Sequence, residues 1–209
     1  MKNSKLLLLA VGLSVIGLVG SLILGFSFSS SATGNNFMGM ISMMGGMGDM
    51  MNGNGETLTN SSVSSLQQKA TTGTINKGEN SISFTQNTVN LVVLASPPGR
   101  SGEYFEIDNL INPTLIVKAG TTINLTLVNE DKELHGFEIV NAQPPFSRYP
   151  MMVNNAMFNS FIMPIWGTNT NSYDSSSTTI SASASGSYTY LCPVPGHAQM
   201  GMYGKIIVS

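Results

Sequence analysis

Residues 188–204 of this 209-residue chain read YTYLCPVPGHAQMGMYG. The stretch contains the only cysteine of the chain, one of its two histidines and two of its fourteen methionines. A thiolate, two imidazoles and a weak thioether form the ligand set of a mononuclear blue-copper centre. The other histidine is His135, more than fifty residues upstream. The stretch therefore predicts a copper site only in a fold that brings His135 to it.

The loop within this stretch is stiff and short. Cys192 and His197 are separated by Pro193-Val194-Pro195-Gly196. The prolines restrict the backbone torsions, and the glycine permits the turn that brings His197 back towards Cys192. Met200 and Met202 are both close enough along the chain to supply a thioether, and spacing alone does not choose between them.

Short β-branched and aromatic runs, separated by turn residues, continue from Ser81 to the C-terminus. This pattern is typical of an all-β sandwich or barrel, and seven to nine strands favour two packed sheets. The predicted strands are Ile82 to Thr85, Thr88 to Ala95, Tyr104 to Ile107, Thr114 to Val117, Thr122 to Asn129, Leu134 to Val140, Thr178 to Ser183, Gly186 to Cys192 and Met202 to Val208.

Alternation of side chains predicts where the ligands lie. Residues two apart on a strand share a face, so His135 faces the core with Phe137, and Cys192 faces it with Tyr190. The two ligands can then meet at one end of the sandwich. The alternative is that His135 and Cys192 are ordinary core residues, since free cysteine is commonly buried. The histidine and methionines that follow Cys192 favour the metal site.

Charge and cysteine content exclude several classes of protein. The net charge is -2 and only 10% of residues are charged, which is incompatible with a basic nucleic-acid-binding surface. A single cysteine cannot form an internal disulfide. Stability therefore has to come from packing and from the metal, and the thiol is free for chemistry.

Residues 1–28 predict an N-terminal membrane anchor. The run from Leu6 to Phe28 contains no charged residue and is long enough to cross a bilayer as a helix. Lys2 and Lys5 precede it and favour a cytoplasmic N-terminus, with the rest of the chain outside the cell. The alternative is a cleaved secretory signal ending near Ser29–Ala32, although the apolar run exceeds a usual signal core.

Residues 29–78 predict a flexible linker, and residues 79–209 the globular domain. The linker is rich in Gly, Ser, Asn and Met without a sustained period. Its seven methionines between Met38 and Met51 are soft donors that suit monovalent copper. The alternative is that they are only apolar, flexible filler.

The segment 141–177 contains too many apolar residues for a loop that only connects two strands. One interpretation is a cover over the metal end of the sandwich that offers a methionine-rich and aromatic docking surface. The other is extra core packing, with a short helix around Asn155 to Phe161.

The ligand pattern resembles the cupredoxin family. Its parts are Tyr190-x-Cys192-(x)4-His197-(x)4-Met202 and the upstream strand His135-Gly136-Phe137-Glu138-Ile139. The spacing is similar to that of the rusticyanins and, with the anchor and linker, most similar to that of the sulfocyanins. This resemblance implies a Greek-key β-sandwich and one type 1 copper, with ligands His135, Cys192 and His197 and with Met202 axial. Many cupredoxins follow the first histidine with a side chain that hydrogen-bonds near the thiolate, and Gly136 has none.

The resemblance implies an electron carrier rather than an enzyme, with no small-molecule substrate and no nucleic-acid partner. Its redox partners would be a respiratory donor and a terminal oxidase at the outer face of the cell membrane. Two alternatives stay open. The protein could capture or handle copper through the methionine-rich linker, or it could be the copper subunit of a larger oxidase.

Overall fold

The computed structural model describes residues 55–150, 155–167 and 172–209. The predicted membrane anchor and the methionine-rich part of the predicted linker lie outside these ranges, so both stay predictions. Among the described residues, no helix combines the length and the apolar character needed to cross a membrane.

Thirteen strands and one helix make up the described part of the chain. In order they are β1 (Glu56–Thr59), α1 (Asn60–Lys69), β2 (Thr74–Asn76), β3 (Ser81–Ser83), β4 (Thr88–Ala95), β5 (Phe105–Ile107), β6 (Leu110–Ile111), β7 (Thr114–Val117), β8 (Thr121–Asn129), β9 (His135–Val140), β10 (Ile162–Ile165), β11 (Ser172–Ala182), β12 (Gly186–Leu191) and β13 (Tyr203–Val208). All nine predicted strands are present, and the prediction of an all-β domain is confirmed.

The strands form two sheets whose order brings the ligand-bearing segments together. One sheet has the order β1-β11-β8-β4-β5-β6, and the other has the order β10-β9-β12-β13-β7-β3-β2. The chain crosses from the first sheet to the second between β8 and β9, immediately before His135. Strand β12 pairs antiparallel with both β9 and β13. The three strands that flank the predicted ligands are therefore neighbours in one sheet.

A single large cluster of buried side chains draws on both sheets. Strand β8 shows the expected alternation, because Ile123 and Leu125 are buried while Asn124 is exposed. From the opposite sheet, Tyr190 is fully buried and donates its hydroxyl hydrogen bond to the Pro113 carbonyl at 2.6 Å. Burial of aromatic and branched side chains from both sheets is the main favourable contribution to the fold.

Strand β11 is longer than predicted, since it begins at Ser172 rather than at Thr178. Its additional residues include three consecutive serines from Ser175 to Ser177 and carry no apolar alternation. The strand nevertheless pairs with β8 over most of its length, from Asp174 opposite Asn129 to Ala182 opposite Thr121. Backbone pairing, rather than side-chain burial, extends this strand.

The prediction of a flexible linker is wrong for residues 56–76. Strand β1 pairs with β11, and α1 begins after Thr59, whose side chain accepts a hydrogen bond from the Ser62 N–H at 3.3 Å. Val63 of α1 and Leu58 of β1 are buried in a cluster with Leu94 and Val128. These two apolar side chains attach the segment to the outer face of the first sheet.

The predicted short helix at Asn155–Phe161 is also wrong. Phe158 and Asn159 have φ values of 59° and 58°, and two successive left-handed residues cannot continue a right-handed helix. The segment binds to β9 instead, because the Met157 N–H donates to the Ile139 carbonyl at 2.7 Å and the Ile139 N–H donates to Ser160 Oγ at 2.8 Å. Residues 162–165 then add β10 to the edge of the sheet beside β9.

Candidate metal centre

Three strand ends meet at one end of the sandwich. His135 is the first residue of β9, and Cys192 directly follows β12. Because β9 and β12 are antiparallel neighbours, the start of one lies beside the end of the other. Met202 directly precedes β13, and its carbonyl accepts a hydrogen bond from the Cys192 N–H at 3.1 Å. The fold thus brings together His135 and the Cys192–Met202 loop, as the sequence predicts.

Both imidazole rings turn their Nδ1 atoms to the thiol. Cys192 Sγ lies 4.0 Å from His135 Nδ1 and 3.6 Å from His197 Nδ1. One ligand atom from each of these three residues falls within 4.8 Å of the others. With bond lengths typical of zinc sites, about 2.0 Å to nitrogen and 2.3 Å to sulfur, a trigonal metal separates the two donors by about 3.7 Å. The observed separations fit one metal ion between the three donors.

Burial separates the two methionines of the loop. Met202 is fully buried in the same cluster as Cys192, and its N–H donates to the His197 carbonyl at 3.0 Å. Met200 is 63% exposed. A thioether in solvent cannot serve as a weak axial ligand in a dry site, so the structure favours Met202. The four residues His135, Cys192, His197 and Met202 are arranged as a type 1 copper site.

The loop from Pro193 to His197 is held by backbone hydrogen bonds. Gly196 has a φ of 93°, a conformation that favours glycine, and its N–H donates to the Arg148 carbonyl at 2.9 Å. The His197 N–H donates to the Val194 carbonyl at 3.2 Å. The predicted role of the glycine in turning the chain is thereby confirmed.

Burial controls the protonation of the donors. It raises the pKa of Cys192 to about 12, although the backbone N–H groups of Gly136 and Val194 hydrogen-bond to the sulfur and act in the opposite direction. Burial likewise lowers the pKa of His135, against the opposing charges of Glu103 and Asp131. The metal-free site therefore carries a neutral thiol and a neutral His135 ring at pH 7. A metal ion held by Cys192 would displace the thiol proton.

Gly136 is glycine because β10 lies against it. A Cβ atom at this position would lie 2.8 Å from the Ile162 carbonyl oxygen, 3.0 Å from Pro193 Cγ and 3.1 Å from the Pro164 nitrogen. No side chain at 136 is needed near the thiolate, because the Gly136 N–H itself hydrogen-bonds to the sulfur. Strand β10 was missed in the sequence because Pro164 interrupts its short apolar run. Proline is tolerated here because β10 is an edge strand.

Two acidic residues near the centre also escaped the sequence analysis. Glu103 and Asp131 each place a carboxylate oxygen 3.4 Å from His135 Nε2, the ring nitrogen that faces away from the thiol. Both lie in turns between strands, where acidic residues are common, and no local pattern distinguishes them. Only the folded chain shows that they reach the same imidazole.

Residues 77–209 match the family model described as the sulfocyanin (SoxE) domain. Rusticyanin from Acidithiobacillus ferrooxidans is 34% identical over 128 residues, which cover 61% of this chain and 80% of that protein. Rusticyanin from Acidithiobacillus ferridurans is 33% identical over 128 residues, which cover 61% of this chain and 66% of that protein.

Solved structures of rusticyanin also resemble this chain. A 1.27 Å structure of rusticyanin from Thiobacillus ferrooxidans superimposes with a TM-score of 0.66 at 29% identity, covering 74% of this chain and 97% of that one. A structure of reduced rusticyanin superimposes with a TM-score of 0.66 at 28% identity, covering 74% and 99%. The two-sheet sandwich is therefore cupredoxin-like, as the sequence predicts.

Proposed function

Because the chain belongs to the sulfocyanin family of blue copper proteins, we propose that it is a membrane-anchored electron carrier rather than an enzyme. It would take electrons from a respiratory donor and pass them to a terminal oxidase at the outer face of the cell membrane. The observation that carries the redox part is the trigonal set of Cys192 Sγ with the Nδ1 atoms of His135 and His197. Copper bound there supplies one-electron chemistry by alternating between its cuprous and cupric states.

The protein's own contribution is to hold these donors still. His135 and Cys192 are fully buried, and since His135 begins β9 and Cys192 directly follows the neighbouring β12, their positions are fixed by the sandwich. His197 is the most exposed of the four, with 8% of its surface accessible. Its ring edge is therefore the shortest route for an electron between the site and a partner. A fixed donor set needs little rearrangement when the charge of the site changes.

The first test is the visible spectrum and redox behaviour of the copper-loaded full-length chain. We expect an intense thiolate-to-copper absorption, a reversible one-electron couple and loss of the absorption in Cys192→Ser, which replaces the thiolate by a poor copper donor. Met200→Leu serves as the control, because that thioether is exposed, and it should keep the colour. A colourless wild-type protein would refute the proposed function.

The membrane part of the proposal is supported by the uncharged run from Leu6 to Phe28. Extraction of the full-length chain from membranes by high salt alone, without detergent, would contradict an uncleaved anchor. The copper-handling alternative depends on methionines 38–51, which lie outside both the described residues and the matched range 77–209. The electron-carrier proposal is supported by residues 77–209, through family membership and the geometry of the metal centre.

Exposed apolar side chains lie on the ligand loop and on the segment between β9 and β11. Among the described residues, six large hydrophobic side chains are exposed, and five of them come from the ligand loop or the segment before β11: Tyr149, Phe161, Met163, Trp166 and Met200. Strand β10 carries Met163 and pairs with β9 at His135. These side chains support the docking interpretation of the segment 141–177, whereas buried Phe146 and Ile162 of the same segment support the packing interpretation.

We expect Trp166→Ser and Met163→Ser to slow electron exchange with respiratory membranes of the source cells several-fold, because docking loses apolar contact area. Exchange with a small inorganic complex such as hexacyanoferrate should be unchanged. Ile75→Ser is the matched control, since Ile75 is also exposed but lies on β2, at the other edge of the same sheet. Equal rates of electron exchange with the membranes for all three variants and wild type would refute the docking role. Met151 and Met152 belong to the same segment 141–177 but lie outside the described residues.

A further inference from the structure

The outer nitrogen of His135 faces two carboxylates. Asp131 Oδ2 lies 3.4 Å from His135 Nε2 in hydrogen-bonding geometry, and Glu103 Oε2 lies 3.4 Å from the same atom. Glu103 Oε2 also lies 3.7 Å from His197 Nδ1. In the described ranges, neither carboxylate forms an ion pair with a lysine or arginine. Two carboxylates are therefore directed at the imidazoles of the metal site, with no lysine or arginine of the described ranges at ion-pairing distance.

Asp131 is held in place by a buried amide. The Asn129 side chain is fully buried, and its Oδ1 accepts a hydrogen bond from the Asp131 N–H at 3.0 Å. Its Nδ2 donates to the Glu133 carbonyl at 2.8 Å and to the Ile165 carbonyl of β10 at 3.0 Å. One side chain thus shapes the turn between β8 and β9 and ties it to the edge strand. This turn places Asp131 against the ring.

Glu103 is held from the other side. Ser96, at the turn after β4, donates its hydroxyl hydrogen bond to Glu103 Oε2 at 3.2 Å. The Ser96 N–H also donates to the Tyr104 carbonyl at 2.9 Å, which closes the loop that carries Glu103. Both carboxylates are only partly exposed, with 18% and 31% of the side-chain surface accessible for Glu103 and Asp131. Their charges are therefore screened less than those of ordinary surface groups.

A hydrogen bond at Nε2 fixes the tautomer of a histidine. If Asp131 accepts the Nε2–H hydrogen bond, the proton stays on Nε2 and the lone pair stays on Nδ1, which faces Cys192. A negative charge beside the ring also stabilises a dipositive ion at Nδ1 more than a monopositive one.

We propose that Asp131 and Glu103 are positioning residues of the copper centre: Asp131 fixes the tautomer and orientation of His135, and the charges of the two carboxylates together favour the cupric state. This inference rests on the proposed function for its redox part. Its structural part concerns the protein without metal. The two parts can therefore be tested separately.

The structural part is tested by ¹⁵N NMR of the imidazole in the copper-free, full-length chain at pH 7. In wild type we expect His135 to carry its proton on Nε2. Asp131→Asn should keep this tautomer, because the amide oxygen still accepts the hydrogen bond, whereas Asp131→Ala should lose it or mix the two tautomers. Should the alanine variant not fold, an asparagine variant with mixed tautomers would still refute the positioning role, as would an alanine variant that keeps the wild-type tautomer.

The charge part is tested by the reduction potential and the copper affinities at pH 7. We expect Glu103→Gln and Asp131→Asn each to weaken cupric binding about tenfold relative to cuprous binding, since removal of groups that support a metal ligand costs about 10–100-fold in affinity. A tenfold change corresponds to a rise of about 59 mV for one electron. The matched control is Asp174→Asn, because Asp174 accepts a hydrogen bond from Thr57 on the strand pair β1–β11.

Potentials of both variants equal to that of the control would overturn the charge part. A colourless wild-type protein would instead refute the proposed function, and the NMR result would still decide whether Asp131 positions His135. Potentials raised in both variants, with the visible band retained, would support the inference in full.

Discussion

The free energy of unfolding of the copper-free protein is expected to fall by about 3 kcal/mol as the pH rises from about 4.5 to above 7, because of Glu138. This residue is 1% exposed in the middle of β9, and its Oε1 atom has no hydrogen-bond partner among the described residues. Burial raises the pKa of Glu138 from 4.5 to about 7. The folded state thus holds the proton more tightly than the unfolded state. The contribution of Glu138 to stability is full below about pH 4.5 and is lost as the pH rises through about 7.

Glu138→Gln isolates this contribution, since glutamine has a similar shape and no charge. Burial also raises the pKa values of Asp108 and Glu130, which adds a change in the same direction, and it lowers the pKa of His135, which costs stability in acid. The difference between the wild-type and variant curves, from urea titrations at several pH values, is therefore the quantity to measure. Parallel curves from pH 4 to pH 8 would show that Glu138 does not titrate as proposed.

The position of Glu138 links this effect to the metal centre. It lies three residues after His135, and the alternation along β9 turns it to the face opposite His135 and Phe137. Its negative charge acts against ionisation of Cys192. In acid the Glu138 carboxyl is neutral. Its buried negative charge then opposes neither folding nor the ionisation of Cys192. Glu138 therefore contributes more to the stability of the folded chain at low pH than at neutral pH.

Local patterns in the sequence predict the core strands and most of the site. The alternation is clear at the start of β8, where one face packs against the opposite sheet, whereas all six residues of β9 are buried. The spacing predicts Cys192 and His197 as ligands in the loop. His135 is predicted as the third ligand because it is the only other histidine in the sequence. Met202 is selected over Met200 only by resemblance in the sequence, and the structure adds burial as the physical reason.

The parts that escaped prediction depend on distant contacts. Helix α1 has the sequence NSSVSSLQQK, in which Val63 and Leu66 are the apolar residues, and it is stabilised by packing near Leu94 and Val128. Such a segment has no strong pattern of its own, because most helical stability in proteins comes from tertiary packing. Glu103 likewise becomes significant only through its contact with His135, from which it is separated by more than thirty residues.

Replacing Gly136 by alanine is expected to destabilise the protein by about 1–3 kcal/mol and to shift the visible band of the copper form. The new Cβ would lie 2.8 Å from the Ile162 carbonyl oxygen and 3.0 Å from Pro193 Cγ, so that either β10 or the ligand loop has to move. Movement of β10 loosens its pairing with β9. Movement of Pro193 displaces Cys192 and weakens the hydrogen bond from the Gly136 N–H to its sulfur.

The matched control is Gly78→Ala, because Gly78 also avoids the left-handed region and its Cβ would meet only Asn76 Oδ1, at 3.5 Å. Alanine there should be neutral or slightly stabilising, since it restricts the unfolded chain. Chemical denaturation of both copper-free variants gives the stability difference, and their visible spectra report on the thiolate. A Gly136→Ala protein as stable as the control, with an unshifted visible band, would show that β10 moves aside with no loss in the free energy of unfolding. The edge strand would then have no part in setting the geometry around Cys192.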